Sequence, residues 1–187
     1  MGSLKTRAEA LALLHEYVQS LSLRRHCYAV AAAMEAYAGT YNENKDQWWM
    51  TGLLHDLDYE QYPSIPDHVT KGSVILREKG YDGDIIEAIE GHADYTGVPR
   101  RSRMARCLFA VDELCGFLVA LSKVREDGFV SMSAASVTRA LKKKGFAAAI
   151  RRDDIEQGII ELGVDREEHF NLVIEALRRI EKTFGFK

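Results

Sequence analysis

Apolar residues recur at helical spacing along most of the chain, and short polar or glycine-containing stretches separate the apolar runs. The first run follows Thr6, which forms a capping-box pattern with Glu9 three residues later. The spacing predicts helices over about residues 6–18, 20–38, 43–57, 68–79, 85–92, 102–124, 133–144, 153–162 and 165–184. No alternating pattern of useful length predicts a strand, so we expect an all-α protein.

Turn-forming residues set the expected helix ends. Gly39 stands where the second helix should stop, and Gly80 stands where a left-handed residue should end the fourth. Asp67 can cap the fourth helix, which would place His68 in its first turn. The dipeptide His55-Asp56 is expected near the carboxyl end of the third helix.

Length and composition fit a single globular domain. The chain has 187 residues, of which 47% are hydrophobic and 28% charged, with only three prolines. A chain of this size can bury roughly 70% of its unfolded surface without disulfides. We expect a single-domain helical bundle with a helical core over residues 1–130. Residues 131–187 should form a C-terminal helical extension packed on the same domain.

Charge and cysteine content exclude several classes of protein. The net charge of −3 gives no positive field for duplex nucleic acid. Cys27, Cys107 and Cys115 lack CxxC spacing, which favours free reduced thiols over a disulfide framework. No apolar run approaches roughly 18 residues, and the first residues lack the apolar core of a signal peptide. We therefore expect a cytoplasmic protein without a membrane partner.

Metal-ligand side chains stand out at apolar positions of the predicted helices. Asp112 lies in an apolar run, where a lone carboxylate costs several kcal/mol unless it is paired or bound to metal. His26 and His92 each continue an apolar stripe and should point inward. The candidate ligands are His26, His55, Asp56, His68, His92 and Asp112. Six ligands exceed what one catalytic ion requires, so two ions bridged by Asp56 become a reasonable hypothesis.

The order His, His-Asp, Asp on a helical scaffold resembles the HD superfamily of metal-dependent phosphohydrolases, over about residues 20–125. The resemblance implies that His26, His55, Asp56 and Asp112 hold a first metal. In two-metal members of the superfamily, extra histidines follow from the next segments, and His68 and His92 match these positions. The six-ligand, two-metal branch is thus the better match. It implies one or two divalent ions, drawn from Fe, Mn, Co, Ni, Zn or Mg.

The residues after the doublet depart from the family's pattern. Many members continue His-Asp with Ile-Gly-Lys, whereas this chain continues with Leu57-Asp58-Tyr59-Glu60 and lacks that lysine. Lys71 could substitute for it as a catalytic and phosphate-holding residue. Asp58 is either a proton carrier or a partner that orients a histidine. Four arginines form a local basic cluster that could bind phosphate oxygens: Arg100, Arg101, Arg103 and Arg106.

Three functions are consistent with these features. The main hypothesis is hydrolysis of a phosphoester or phosphoanhydride in a nucleotide or another small phosphorylated metabolite, with a homodimer possible. The resemblance also allows a mixed-valent di-iron oxygenase with the same six ligands. The third alternative is a non-catalytic ligand-sensing module that keeps its metal as a structural element.

Overall fold

A computed structural model describes residues 5–185 of the chain, and within this range every regular element is a helix. The all-α prediction is confirmed. The elements are α1 Arg7–Tyr17, α2 Leu21–Tyr41, α3 Lys45–Leu54, α4 Thr70–Glu78, α5 Gly83–Gly91, α6 Arg103–Lys123, α7 Ala134–Leu141, α8 Arg152–Leu162 and α9 Arg166–Phe184, with a 3₁₀ turn at Asp94–Thr96.

Two short ranges, residues 1–4 and 186–187, lie outside the described residues. The first contains part of the segment that is predicted not to be a signal peptide, and the second is the end of the expected C-terminal extension. Across residues 5–185, no helix combines the length and apolarity that a membrane span requires.

Side-chain caps begin several helices as the sequence predicts. The Thr6 hydroxyl accepts a hydrogen bond from the Glu9 amide at 3.2 Å, and the Glu9 carboxylate accepts one from the Thr6 amide at 2.8 Å. The Ser20 side chain accepts from the Leu23 amide at the start of α2, and the Asp165 carboxylate accepts from the Glu167 and Glu168 amides at the start of α9. These interactions reach three residues or fewer, so the local sequence is sufficient to specify them.

Helix α2 continues past Gly39, contrary to the prediction. It ends at Tyr41, and Asn42 provides the left-handed residue at φ 55°. Asparagine tolerates this conformation better than other non-glycine residues. Helix α3 then spans only Lys45–Leu54, so His55 is its C-terminal cap and Asp56 lies in the turn that follows.

Helix α4 begins two residues later than predicted. Val69 adopts φ 64°, a conformation that a β-branched residue rarely takes, and the helix starts at Thr70. His68 therefore lies in the preceding turn rather than in the helix. Val69 is fully buried, which indicates that packing compensates for the strained backbone.

Helices α2 and α3 run antiparallel and touch at small residues. A Cβ on Gly52 would lie 2.8 Å from both Ala31 Cα and Val30 O, so only glycine permits this approach. Because the helices are antiparallel, residues before Ala31 in α2 face residues after Gly52. This geometry brings His26 opposite His55.

The C-terminal helices complete the same hydrophobic core. Helix α8 packs on α6, and α9 packs on α2. A Cβ on Gly158 would lie 2.6 Å from Ala110 Cα, which shows how closely α8 approaches α6. The core cluster of buried side chains extends from Ala10 to Leu177.

His169 of α9 lies outside the set of candidate ligands, and its polar sequence surroundings favour a surface position. The side chain is instead buried, with 1% of its surface exposed. Its Nε2 lies 3.2 Å from the Ala110 carbonyl of α6, and its Nδ1 lies 2.5 Å from the Tyr37 hydroxyl of α2. The histidine thus joins three helices. Its partners lie 59 and 132 residues away in sequence, which explains why the local pattern did not reveal its burial.

Candidate metal centre

The six candidate ligands come together from five separate segments, although they span residues 26 to 112. Two of them lie in helices, since His26 belongs to α2 and Asp112 to α6. The others lie at helix ends or in turns: His55 and Asp56 follow α3, His68 precedes α4, and His92 caps α5. The ligand atoms fall into two groups of three, each within 4.8 Å of one another.

The first triad consists of His26, His55 and Asp112. His26 Nε2 lies 2.9 Å from Asp112 Oδ1 and 3.2 Å from His55 Nε2. His55 Nε2 lies 3.4 Å from the same Asp112 oxygen. Two imidazole nitrogens and one carboxylate oxygen thus converge on one point.

The second triad consists of Asp56, His68 and His92. Asp56 Oδ1 lies 3.5 Å from His68 Nε2 and 3.8 Å from His92 Nε2. The other oxygen of this carboxylate, Oδ2, lies 3.5 Å from His55 Nε2 in the first triad. Asp56 therefore presents one oxygen to each triad.

Hydrogen bonds fix the orientation of three of the four imidazole rings. Two of them bond to a carbonyl three residues earlier: His55 Nδ1 donates to Gly52 O at 2.8 Å, and His92 Nδ1 donates to Ile89 O at 2.5 Å. His68 Nδ1 donates to Asp58 Oδ1 at 2.9 Å. Since these Nδ1 atoms carry the proton, the neutral rings present an Nε2 lone pair to the cluster.

The cluster concentrates negative charge. Burial opposes protonation of His55, but the carboxylates of Asp56 and Asp112 outweigh it and raise the pKa of His55 to about 9. Burial also opposes ionisation of Asp112, yet His55 and His26 hold the pKa of its carboxyl well below the usual range. Burial and the charge of Asp112 raise the pKa of Glu113 to about 7. A bound cation would stabilise this concentration of negative charge.

These side chains fit a divalent metal ion. Nε2 atoms of His26 and His55 face each other at 3.2 Å, and two lone pairs at that distance require a shared proton or a shared metal. Imidazole and carboxylate are ligands of first-row transition metals. The two triads together therefore offer places for one or two ions.

Asp58 lies beside the cluster and supports His68. The side chain is 1% exposed, and both of its oxygens have partners: His68 Nδ1 on Oδ1 and the Gly72 amide at 2.6 Å on Oδ2. Of the two roles predicted for Asp58, these contacts favour orientation of a histidine over transport of a proton.

We expect Asp58→Asn to weaken metal binding about 10- to 100-fold, as replacement of a residue that orients a histidine ligand typically does. An amide has one acceptor oxygen for two donors, His68 Nδ1 and the Gly72 amide, so its NH₂ group would face one of them. Where it faces His68, the ring would have to carry its proton on the metal-facing Nε2. Calorimetric metal titration measures the change. Asp67→Asn is the control, because that half-exposed carboxylate pairs with Lys71 instead. Affinity equal to wild type in Asp58→Asn would contradict this role.

The predicted phosphate-binding residues make contacts with other groups, and no described contact joins them to one another. Lys71 is about half exposed and lies 3.7 Å from Asp67. Arg103 stacks on the Tyr41 ring and lies 3.9 Å from Glu43, and Arg106 has a buried Nε without a hydrogen-bond partner among the described residues. The phosphate roles of Lys71, Arg101, Arg103 and Arg106 stay predictions.

Arg100 requires a correction. Its guanidinium donates to both carboxylate oxygens of Glu161 at 2.7 and 2.8 Å, to Asp94 at 2.7 Å and to the Gly91 carbonyl at 2.9 Å. It also lies over the Phe109 ring. A guanidinium with these partners connects α8 to the loop before α6 and has little capacity left for a phosphate. Glu161 is 61 residues away, so the sequence did not indicate this pair.

Two aromatic side chains near the centre were missed as site residues by the sequence reasoning. Tyr59 stands edge-on to the His68 ring at 4.9 Å between centroids, and the Tyr95 hydroxyl donates to the His68 carbonyl at 3.0 Å. The sequence could have indicated Tyr59 as a site residue, because it lies only three residues after Asp56.

A comparison with protein families matches one of the expected families. The model of the HD domain matches residues 23–116, which is half of the chain and includes all six candidate ligands. No match was found among curated proteins or among solved structures.

Proposed function

The chain belongs to the HD-domain family, and on this premise we propose that it is a metal-dependent phosphohydrolase. HD domains are commonly metal-dependent hydrolases. The proposed reaction is hydrolysis of a phosphoester or phosphoanhydride in a small phosphorylated metabolite, such as a nucleotide. The observation that carries the proposal is the Asp56 carboxylate, whose two oxygens face the two triads.

In this proposal His26, His55 and Asp112 would hold one ion, and Asp56, His68 and His92 would hold another. The second oxygen of Asp56 faces the first triad and would be available to the ion there. Bound divalent ions polarise the phosphoryl group and lower the pKa of bound water to about 7. The four imidazoles favour a first-row transition metal over Mg²⁺ or Ca²⁺.

The remaining residues of the centre orient the ligands. The Gly52 and Ile89 carbonyls and the Asp58 carboxylate keep the Nδ1 proton on three histidines. Their Nε2 atoms therefore face the centre without rotation of the rings, and a metal ion would displace the second proton of His55. Because these acceptors belong to buried segments, the ligand geometry is fixed before a substrate arrives.

Metal content and phosphate release test the proposal together. Protein purified without chelator should contain one or two transition-metal ions per chain. With Mn²⁺, Co²⁺ or Fe²⁺ it should release phosphate from at least one member of a phosphoester panel, in the absence of oxygen, and a chelator should stop the release. Two irons with oxygen consumption and no phosphate release would instead identify an oxygenase. Protein without metal and without turnover would refute the proposal.

A further inference from the structure

A cavity of about 460 Å³ lies directly beside the first triad. His26 forms part of its wall, between the N-terminal turn of α2 and the turn that follows Asp56. The volume lies within the range of small-molecule pockets. The lining residues are Ser20, Ser22, Leu23, His26, Tyr59, Glu60 and Pro63.

The walls of this cavity are apolar or neutral, with one exception. Leu23, Tyr59 and Pro63 provide apolar surface, and Tyr59 has 44% of its surface exposed. The exception is the Glu60 carboxylate, which accepts hydrogen bonds from the Gln19 and Ser20 amides at 2.8 and 2.9 Å. Among its described lining residues there is no lysine or arginine.

The two arginines that precede His26 in sequence make contacts outside the lining of the cavity. Arg24 donates to the carbonyls of Val18 at 2.6 Å and His15 at 3.1 Å. The Arg25 guanidinium extends to Gly185, at the end of α9. Neither is among the residues that line the cavity.

Charge therefore restricts what can occupy the cavity while a phosphate lies at the metal centre. A polyphosphate chain would place several negative charges near Glu60 without a cation of the wall to balance them. An aromatic or apolar group would instead contact Leu23 and stack against Tyr59. The Ser20 and Ser22 hydroxyls could bond to neutral polar atoms of the same group.

We infer that the substrate is a phosphomonoester whose organic part is uncharged and aromatic or largely apolar, such as a nucleoside. This inference rests on the proposed function, and it names the substrate class of that same site. The phosphate lies at the triads, and the organic part occupies the cavity against Tyr59 and Leu23. Nucleoside di- and triphosphates are poor substrates.

The kinetic test uses the full chain loaded with Mn²⁺. A nucleoside monophosphate should have kcat/KM at least about tenfold above the triphosphate of the same nucleoside, because the triphosphate adds unbalanced charge. Phenyl phosphate should exceed glycerol phosphate by about tenfold, the upper end expected for one aromatic contact. Tyr59→Ala should remove most of the preference for phenyl phosphate over glycerol phosphate, mainly by raising the KM for phenyl phosphate. Tyr62→Ala is the matched control, since Tyr62 is exposed nearby and does not line the cavity.

A binding experiment separates this inference from the proposed function. Calorimetry measures the binding affinities of phenylphosphonate and methylphosphonate. Their binding can be measured whether or not the protein hydrolyses a substrate. Tighter phenylphosphonate binding that is lost in Tyr59→Ala supports the inference even if no substrate is hydrolysed, in which case only the proposed function fails. Phosphate release with triphosphates preferred, or equal binding of the two phosphonates, overturns the inference and leaves the hydrolase proposal intact.

Discussion

Replacing Asp56 by alanine should reduce phosphate release at least about 10³-fold and lower the bound metal by one ion or more per chain. The carboxylate is the residue that faces both triads, at 3.5 Å from His55 Nε2 and 3.5 Å from His68 Nε2. Without it the second triad retains only two imidazoles, His68 and His92. Two neutral nitrogens neither complete the ligand set nor balance the charge of a divalent ion.

Metal analysis and phosphate-release kinetics measure the two effects on the same preparation. Asp82→Ala serves as the control, because Asp82 is an exposed carboxylate with no side-chain hydrogen bond at the start of α5. Circular dichroism should show that both variants keep their helix content. Unchanged turnover and metal content in Asp56→Ala would remove the basis of the two-ion centre.

Acidification should destabilise the protein by about 3 kcal/mol through His169 alone, because one pKa unit corresponds to about 1.4 kcal/mol. Burial lowers the pKa of His169 to about 4 in the folded state, whereas an unfolded histidine titrates near 6.5. Between these values the unfolded chain binds the extra proton. The free energy of unfolding therefore falls as the pH drops from about 6.5 to 4, by about 3 kcal/mol at pH 4, and His169 adds only a few tenths of a kcal/mol to this loss below pH 4.

The buried contacts explain why the ring stays neutral. A carbonyl oxygen can only accept a hydrogen bond, so the proton lies on Nε2, which donates to the Ala110 carbonyl. The unprotonated Nδ1 accepts a hydrogen bond from the Tyr37 hydroxyl. A second proton on Nδ1 would place a charge between α2, α6 and α9 without a counterion among these contacts.

Urea unfolding from pH 4 to 7.5 in the presence of chelator tests this prediction. His169→Gln can keep both hydrogen bonds without titrating, so its stability should vary with pH by about 3 kcal/mol less than that of wild type. His15→Gln replaces an exposed histidine whose pKa is also lowered, by burial and by Arg24. It should change the pH dependence much less than His169→Gln does. Parallel curves for wild type and His169→Gln would contradict the buried neutral state.

The candidate site was predictable from the sequence as a set of residues. His26, His92 and Asp112 continue apolar helical faces, which is unusual for such side chains, and His55-Asp56 closes an apolar run. Burial of groups this polar demands a partner, so their presence at inward positions indicated a shared ligand. The grouping into two triads was not predictable, because it depends on how α2, α3, α5 and α6 cross.

Errors arose where another residue, near or far in sequence, outweighs a local preference. Gly39 could have ended α2, but Asn42 takes the left-handed conformation instead and the helix continues to Tyr41. His68 could have begun α4, but it bonds to Asp58 ten residues earlier and Val69 turns the backbone at φ 64°. From the sequence alone, Arg100 is a candidate phosphate-binding residue, but in the folded protein its guanidinium is paired with Glu161.

The sequence by itself determined the helices, several of their caps and the identity of the candidate ligands, because periodicity and capping act over a few residues. Tertiary structure alone decided which oxygen of Asp56 faces which triad, which arginine is already paired, and that His169 is buried. Those features depend on pairs of residues that lie tens of positions apart, where the close approach of helices such as α2 and α3 at Gly52 sets the distances.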